Sequence, residues 1–221
     1  MAEIARRSYH SPTRQRQAEQ TRARILGAAT DLFRTAGYAS TTVDAIASAA
    51  QVSAKTVEAA FGSKRGVLAA LVDPLASAGP PREVVDRIRA TADPERRLEL
   101  VAELSRRAYE RSAPEFELMR GAEAVAPEIA AAAAQIETRR RDNQARLIGY
   151  LRQQQRLRED LTQDEATDIV WALTSYDLYR SLVTQRGWPA SRYQIWLART
   201  LIASLLAEAG RQGQDEHIEH G

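Results

Sequence analysis

Apolar residues recur at helical spacing along almost the whole chain, and three short stripes near the N-terminus are the most closely set. Ile25, Ala29, Leu32, Phe33 and Ala36 fall at i, i+4, i+7, i+8 and i+11, one face of a helix of about three turns. Val43, Ile46, Ala47 and Ala50 repeat at i, i+3, i+4 and i+7, and Val57 and Phe61 follow at i and i+4. Each stripe is too small to be stable alone, so the three predict a compact bundle in which each covers the others. A fourth helix follows, carrying Val67, Leu68 and Leu71.

The joints between these stripes sharpen the prediction. Gly37 stands after the first helix, where a residue able to take positive φ is wanted. Thr41, with Asp44 three residues on, reads as a capping-box-like start for the second helix. Only Gln51, Val52 and Ser53 separate the second stripe from the third, and Ser53 has the side chain to cap a helix opening at Ala54. Two helices joined by so short a turn match the helix-turn-helix, whose second helix enters the major groove of DNA. The outer face of that helix is Ala54, Lys55, Thr56, Glu58 and Ala59, small and polar and unsuited to a core. Ser63 then caps the fourth helix.

Residues 73–83, DPLASAGPPRE, are the clearest break in the chain, and Pro74 is expected to end or kink the fourth helix early. Beyond it the pattern stays helical. A short helix spans Glu83 to Thr91. Another is opened by Asp93-Pro94-Glu95 and stops near Ala113, and Pro114 opens the next. Ala126-Pro127-Glu128 starts a long helix to about Arg156. Thr162 to Glu165 is a capping box for a helix through to about Arg186; Gly187-Trp188-Pro189 breaks it, and Ser191 to Gln194 is a second capping box. No stretch alternates with the period of a strand. The expected fold is all-α, an N-terminal three-helix bundle with a helix-turn-helix plus a larger C-terminal helical domain. Its divisions are a basic flexible arm at 1–20, the DNA-binding domain at 21–73, a helical domain at 83–209 and a flexible tail at 210–221.

Charge supports a division of labour. Residues 1–70 hold ten Lys/Arg against five Asp/Glu, whereas the remainder holds twenty-one against twenty-four, so contact with nucleic acid is expected at one end only. The N-terminal arm, with Arg6, Arg7, Arg14 and Arg16, is either a plain tail or a segment that settles along phosphates or in the minor groove. There is no cysteine, so thiol catalysis and thiolate metal sites are excluded. The histidines are His10, His217 and His220, all in the tails, so neither an imidazole base nor a histidine-based metal site is available to the body of the protein. No cofactor and no catalytic residues are expected. No apolar run approaches the ~20 residues of a membrane span, which makes a soluble cytoplasmic protein with no membrane partner the plain expectation.

From Ile25 to Leu71 the chain resembles the DNA-binding domain of the TetR (tetracycline-repressor-like) regulators. The anchors are Ile25-Leu26, Ala28-Ala29, Leu32-Phe33, Gly37-Tyr38, Thr41-Thr42, Ile46-Ala47, Val52-Ser53, Thr56-Val57, Phe61 and Ser63-Lys64. Two residues depart from the pattern: Gln51 stands where the family usually has glycine, which would tighten or reshape the turn, and Glu58 where it usually has a DNA-touching tyrosine.

The resemblance implies a regulator, most simply a repressor, that binds double-stranded DNA as a homodimer on a palindromic operator and is released by a small-molecule effector. It assigns phosphate contact to Thr42 and Lys64, and base or backbone contact to Ser53, Ala54, Lys55, Thr56, Glu58 and Ala59. Lys55 has the chemistry to donate to guanine. Glu58 either accepts from cytosine, or it points to solvent or pairs with Lys55 or Arg65. The resemblance also implies an effector pocket in the second domain, for which Tyr109, Phe116, Met119, Tyr150, Trp171 and Tyr176 are candidates. The last two helices are apolar around much of their circumference, which fits either full burial in a monomer or a second subunit. The dimer that the resemblance implies would use Leu178, Leu182, Trp196, Leu201 and Leu205. A ligand-independent architectural DNA binder, a helix-turn-helix kept for protein contacts, and a helical enzyme relying on carboxylates are the rival readings.

Overall fold

The structure is a computed structural model and describes residues 12–77, 81–123 and 126–207. Among these the fold is all-α, and the only extended pairing is an isolated antiparallel bridge between Leu157 and Leu206. The chain divides into two compact units, Met1–Ser77 with Pro114–Ala133, and Ala78–Ala113 with Ala134–Gly221. The expected break at 73–83 therefore contains the first division, but 83–209 is not one continuous unit.

In the first unit, α1 (Pro12–Ala36), α2 (Val43–Ala49), α3 (Ala54–Phe61) and α4 (Lys64–Ser77) pack as the stripes predict. Ile25, Ala29, Phe33, Ile46, Ala47, Ala50, Val57, Val67 and Leu68 are buried. Side chains of this size contribute about 1.5–3 kcal/mol each on burial, alanine less. Two expectations fail here. Residues 12–20 are helical, the first turns of α1, and so are not a flexible arm; residues 1–11 lie outside the described part. Helix α4 also runs through Pro74 to Ser77. A proline so near the C-terminal end removes one intrahelical hydrogen bond and leaves the preceding turns intact.

The caps explain where the helices start and stop. Thr42, not Thr41, caps α2, its hydroxyl accepting from Ala45 N at 3.1 Å. Thr41 is buried and donates to Gly37 O at 2.9 Å. Gly37 takes φ +81° beyond α1. After α2, Gln51 N meets Ser48 O at 3.1 Å and Val52 N meets Ala47 O at 2.9 Å, the two bonds of a Schellman ending. Gln51 itself adopts φ +54°, so the turn keeps the left-handed step that glycine would supply rather than changing shape.

The second unit is built from α5 (Arg82–Ala90), α6 (Pro94–Ala122, to Ala113), α7 (Pro127–Gln153, from Ala134), α8 (Gln163–Leu173), α9 (Tyr176–Tyr179) with a π-helical continuation at Arg180–Gln185, and α10 (Ala190–Leu205). Asp93 caps α6 through Glu95 N and Arg96 N, and Thr162 with Glu165 forms the expected capping box. The break expected between Ala113 and Pro114 is a kink at Ser112 (φ −126°, ψ 18°) inside α6. The helix expected from 163 to 186 is broken at Thr174, whose hydroxyl donates to Val170 O at 2.7 Å, and at Ser175, which caps α9 through Leu178 N. The second capping box does not form. Pro189 sets the start of α10 without a side-chain cap, which leaves Ser191 already inside the helix.

The Thr174 junction is clasped from two other helices. Tyr109 of α6 donates to Thr174 O at 2.5 Å, Arg140 of α7 to the same carbonyl at 3.0 Å, and Gln144 of α7 to Thr174 Oγ1 at 2.9 Å. Around it runs an aromatic cluster, with Tyr109 5.3 Å from both Tyr176 and Tyr179, and Tyr193 edge-on to Tyr179 at 5.1 Å.

Two predictions follow from this packing. Replacing Gln51 by Gly should raise stability by about 1 kcal/mol, because the left-handed region costs an L-residue roughly that much. Urea unfolding of the two proteins measures it; an unchanged or lower midpoint would show that the side chain compensates. The second concerns alkali. Burial pushes the Tyr109 hydroxyl up to about 12, whereas an unfolded chain ionises it at 10.0. The neutral buried phenol therefore favours the fold fully below pH 10, and that contribution is lost as pH rises from about 10 to 12. Tyr109→Phe should cost about 1 kcal/mol at neutral pH for the hydrogen bond and show a smaller further loss across that alkaline window, read by urea unfolding at each pH.

Candidate nucleic-acid interface

Helix α3 has eight residues, and its buried side is Val57, fully enclosed in the first unit. Ser53 fixes its start, accepting from Thr56 N at 3.1 Å, and its hydroxyl lies 2.8 Å from Thr56 Oγ1. With Val57 inward, Lys55, Glu58 and Ala59 are exposed and Ala54 and Thr56 half-buried. Neither Lys55 nor Glu58 has an ion-pair partner among the described residues, so the carboxylate is not neutralised by Lys55 or Arg65. Thr42 and Ser53 are exposed at the starts of α2 and α3.

Lys64 is differently placed. Its ammonium donates to Tyr38 O at 2.9 Å, Ala39 O at 3.3 Å and Thr41 O at 2.7 Å, and lies 4.5 Å from the centre of the Tyr38 ring. An ammonium has three protons, and all three are used. The lysine thus ties the α1–α2 loop to the start of α4, whereas the resemblance had it on a phosphate.

Two residues that sequence reasoning missed hold the far end of α3. Arg22 of α1 donates to Ala60 O, and its guanidinium lies 4.2 Å from the centre of the Phe61 ring. A cation at the C-terminal carbonyls of a helix opposes the negative end of its dipole. Gly66 of α4 lies so close to α3 that a Cβ there would stand 1.8 Å from Phe61 O. Arg22 had no local signal, since it and Ala60 are 38 residues apart, whereas Gly66 is only five residues from Phe61 and its close approach shows only in the packing of α4 on α3.

The second-unit candidates do not assemble as expected. Tyr109 and Tyr176 are buried in the aromatic cluster, and Tyr176 donates to Ala113 O at 3.2 Å. Tyr150 donates to Ala92 O at 2.6 Å beneath the Arg97 guanidinium. Trp171 is 40% exposed and donates to Glu137 at 2.7 Å, so it is a surface residue. Phe116 and Met119 fall in the segment that belongs to the first unit. Among the described residues of the second unit, two polar side-chain atoms are buried without a hydrogen-bond partner, Gln144 Oε1 and Tyr193 Oη. Burial pushes the Tyr193 hydroxyl well above its ordinary range.

Among the dimer candidates, Leu201 and Leu205 are fully buried within the single chain and form its core with Tyr193 and Leu197, so they offer no surface to a second subunit. Leu178, Leu182 and Trp196 are half-buried. The exposed large apolar residue of α10 is Ile195, 55% accessible, with Arg199 one turn on. Among the described residues no helix is long and apolar enough to cross a membrane.

A short capped helix displaying small and polar side chains, joined to its predecessor by a tight left-handed turn, has the geometry of a helix-turn-helix within an all-α fold. Residues 25–71 match the model of the tetR family of bacterial regulatory proteins. The fold is shared with NalD, the secondary repressor of the MexAB-OprM multidrug efflux pump in Pseudomonas aeruginosa (20% identity, 87% of this chain and 99% of that one, TM-score 0.69). It is also shared with an ArpA-like γ-butyrolactone receptor (20%, 86% and 90%, TM-score 0.61) and the fatty acid degradation regulator FadR of Bacillus halodurans (16%, 82% and 94%, TM-score 0.57). A comparison with curated proteins gives no match.

Gly66→Ala should displace α3 or α4, because the added methyl meets a backbone carbonyl that cannot swing aside. The expected loss is about 1–3 kcal/mol of stability together with weaker DNA binding, checked by thermal unfolding and by mobility shift. Wild-type behaviour in both would show that the joint yields freely.

Proposed function

We propose that the protein is a transcriptional repressor that binds a palindromic operator as a homodimer and leaves it when a small molecule occupies the second unit. The observation that carries this reading is the outer face of α3, where Lys55, Glu58 and Ala59 are exposed on a helix capped by Ser53 and anchored by Val57. Lys55 supplies a donor for guanine, Glu58 an acceptor for the cytosine amino group, and Ala59 a small apolar contact for a thymine methyl. One such helix touches few bases, so a two-fold pair is the economical way to reach useful affinity.

Support for the pairing comes from α10, whose outward side carries Ile195 and the half-buried Trp196 and Ile202. Support for an effector comes from Gln144 and Tyr193, buried polar groups each with an atom unmatched by the protein. An effector with hydrogen-bonding groups would satisfy them. To act, it must bind the DNA-incompetent arrangement more tightly than the competent one. The repressor sense is that of NalD, which shares the fold.

Selection from a randomised duplex library, with light scattering of the free protein, tests the reading. The expected result is a two-fold symmetric site with half-sites ~34 Å apart, bound by a species of twice the 24.5 kDa chain mass. A strictly monomeric protein, or binding without sequence preference, would overturn it.

A further inference from the structure

Helix α1 starts at Pro12, but its first buried residue is Ile25, and Thr13 to Gln20 are all exposed. Two turns of helix therefore project beyond the core of the first unit. A stretch so short and so exposed is marginal in water without something to lie against. It carries Arg14 and Arg16 against the single acid Glu19.

The projection has two distinct sides. At 100° per residue, Arg14, Gln17, Ala18 and Thr21 share the side of α1 that continues into Ile25, whereas Arg16 stands roughly 200° around from Arg14. Gln17, Ala18, Thr21 and Arg22 form one wall of an open groove of about 460 Å³; Thr56, Ala59 and Ala60 of α3 form the other. Ala59 belongs both to this wall and to the exposed face of α3, so the groove continues the surface proposed to meet base edges. Arg14 stands one turn beyond Gln17 and Ala18 on that same side, with no hydrogen-bond or ion-pair partner among the described residues.

We propose that this groove receives the sugar–phosphate backbone of the duplex that α3 reads, with Arg14 as its phosphate ligand. The occupant follows from charge and continuity. Most of the lining is small, the one cation within it, Arg22, is already committed to Ala60 O, Arg14 stands at its mouth, and it adjoins the candidate interface, so a polyanionic strand running past α3 fits it. Contacts of this kind set position and add affinity without reading sequence. The inference rests on the DNA-binding reading above and adds a third contacting element, the projecting turns of α1.

The test is fluorescence anisotropy of the full chain on its selected duplex over a range of salt concentrations, with Arg14→Ala, Arg16→Ala and Ala18→Glu. All three sites are exposed, so helical content and melting temperature serve as folding controls. Arg14→Ala should reduce the slope of log K against log salt by about 0.9, the value for one phosphate contact. Its affinity should fall most at low salt and converge on wild type as salt rises, with base preference unchanged. Ala18→Glu, which puts a carboxylate into the groove, should weaken binding at least as much. Arg16→Ala should leave the slope alone. Equal effects of Arg14→Ala and Arg16→Ala would indicate diffuse attraction and overturn the groove, as would wild-type slopes for Arg14→Ala and Ala18→Glu. A wild-type protein that binds no duplex would instead overturn the function reading, and this inference with it.

Discussion

An eight-residue helix cannot fix its own direction. Two turns of backbone hydrogen bonds are marginal in water, so α3 points where its neighbours make it point. Its middle is anchored by Val57 in the core of the first unit and its start by the Ser53 hydroxyl. Its end is held by the Arg22 guanidinium on Ala60 O and by the close approach of Gly66 to Phe61 O. These restraints differ in kind: one is apolar burial, two are hydrogen bonds and one is the absence of a side chain. Base readout depends on donor and acceptor positions, and bidentate pairs with bases are worth only about 1–3 kcal/mol each. A helix free to rock would spread that energy over many registers, so the anchors are as necessary to recognition as the exposed side chains.

Lys64 extends the same logic to α2. By satisfying three carbonyls of the loop between α1 and α2, it fixes the entry to α2, where Thr42 provides the cap. The first amides of α2 and the partial positive charge of its dipole then face outward at a defined place, the usual setting for an anion at a helix start. Lysine and threonine thus share one task. The cation organises the loop, and on the proposed DNA-binding reading the helix start that it organises is what meets a phosphate.

Features set by neighbours in sequence were legible, and those set by neighbours in space were not. Ser53, Gly37, Asp93 and Thr162 act within four residues of themselves, and each was found where its chemistry predicts. The break at Thr174 was hidden because Ile169, Leu173, Tyr176 and Leu182 continue a helical stripe across it. The clasp that holds the break open comes from Tyr109, Arg140 and Gln144, 65, 34 and 30 residues away. Helix α10 defeats the pattern for another reason. Apolar residues occupy both its sides, so periodicity alone could not decide that Leu201 and Leu205 face inward while Ile195 faces out. The projecting turns of α1 were hidden by composition, since a polar, arginine-bearing segment reads as a tail whether or not it is helical.

The clasp at Thr174 also bears on what the proposed effector would have to supply. Thr174 has one hydroxyl proton, and it goes to Val170 O at 2.7 Å. Its oxygen can therefore only accept from Gln144, which obliges the glutamine to present its amide nitrogen there and fixes the side chain against an amide flip. The Gln144 carbonyl oxygen is then turned away from Thr174, buried and without a donor. Leaving such an acceptor unmatched costs about 1–3 kcal/mol, and a hydrocarbon surface brought against it would not relieve that cost. A molecule with an N–H or O–H would. On the proposed effector reading, the orientation forced by one threonine proton favours a ligand that donates to Gln144.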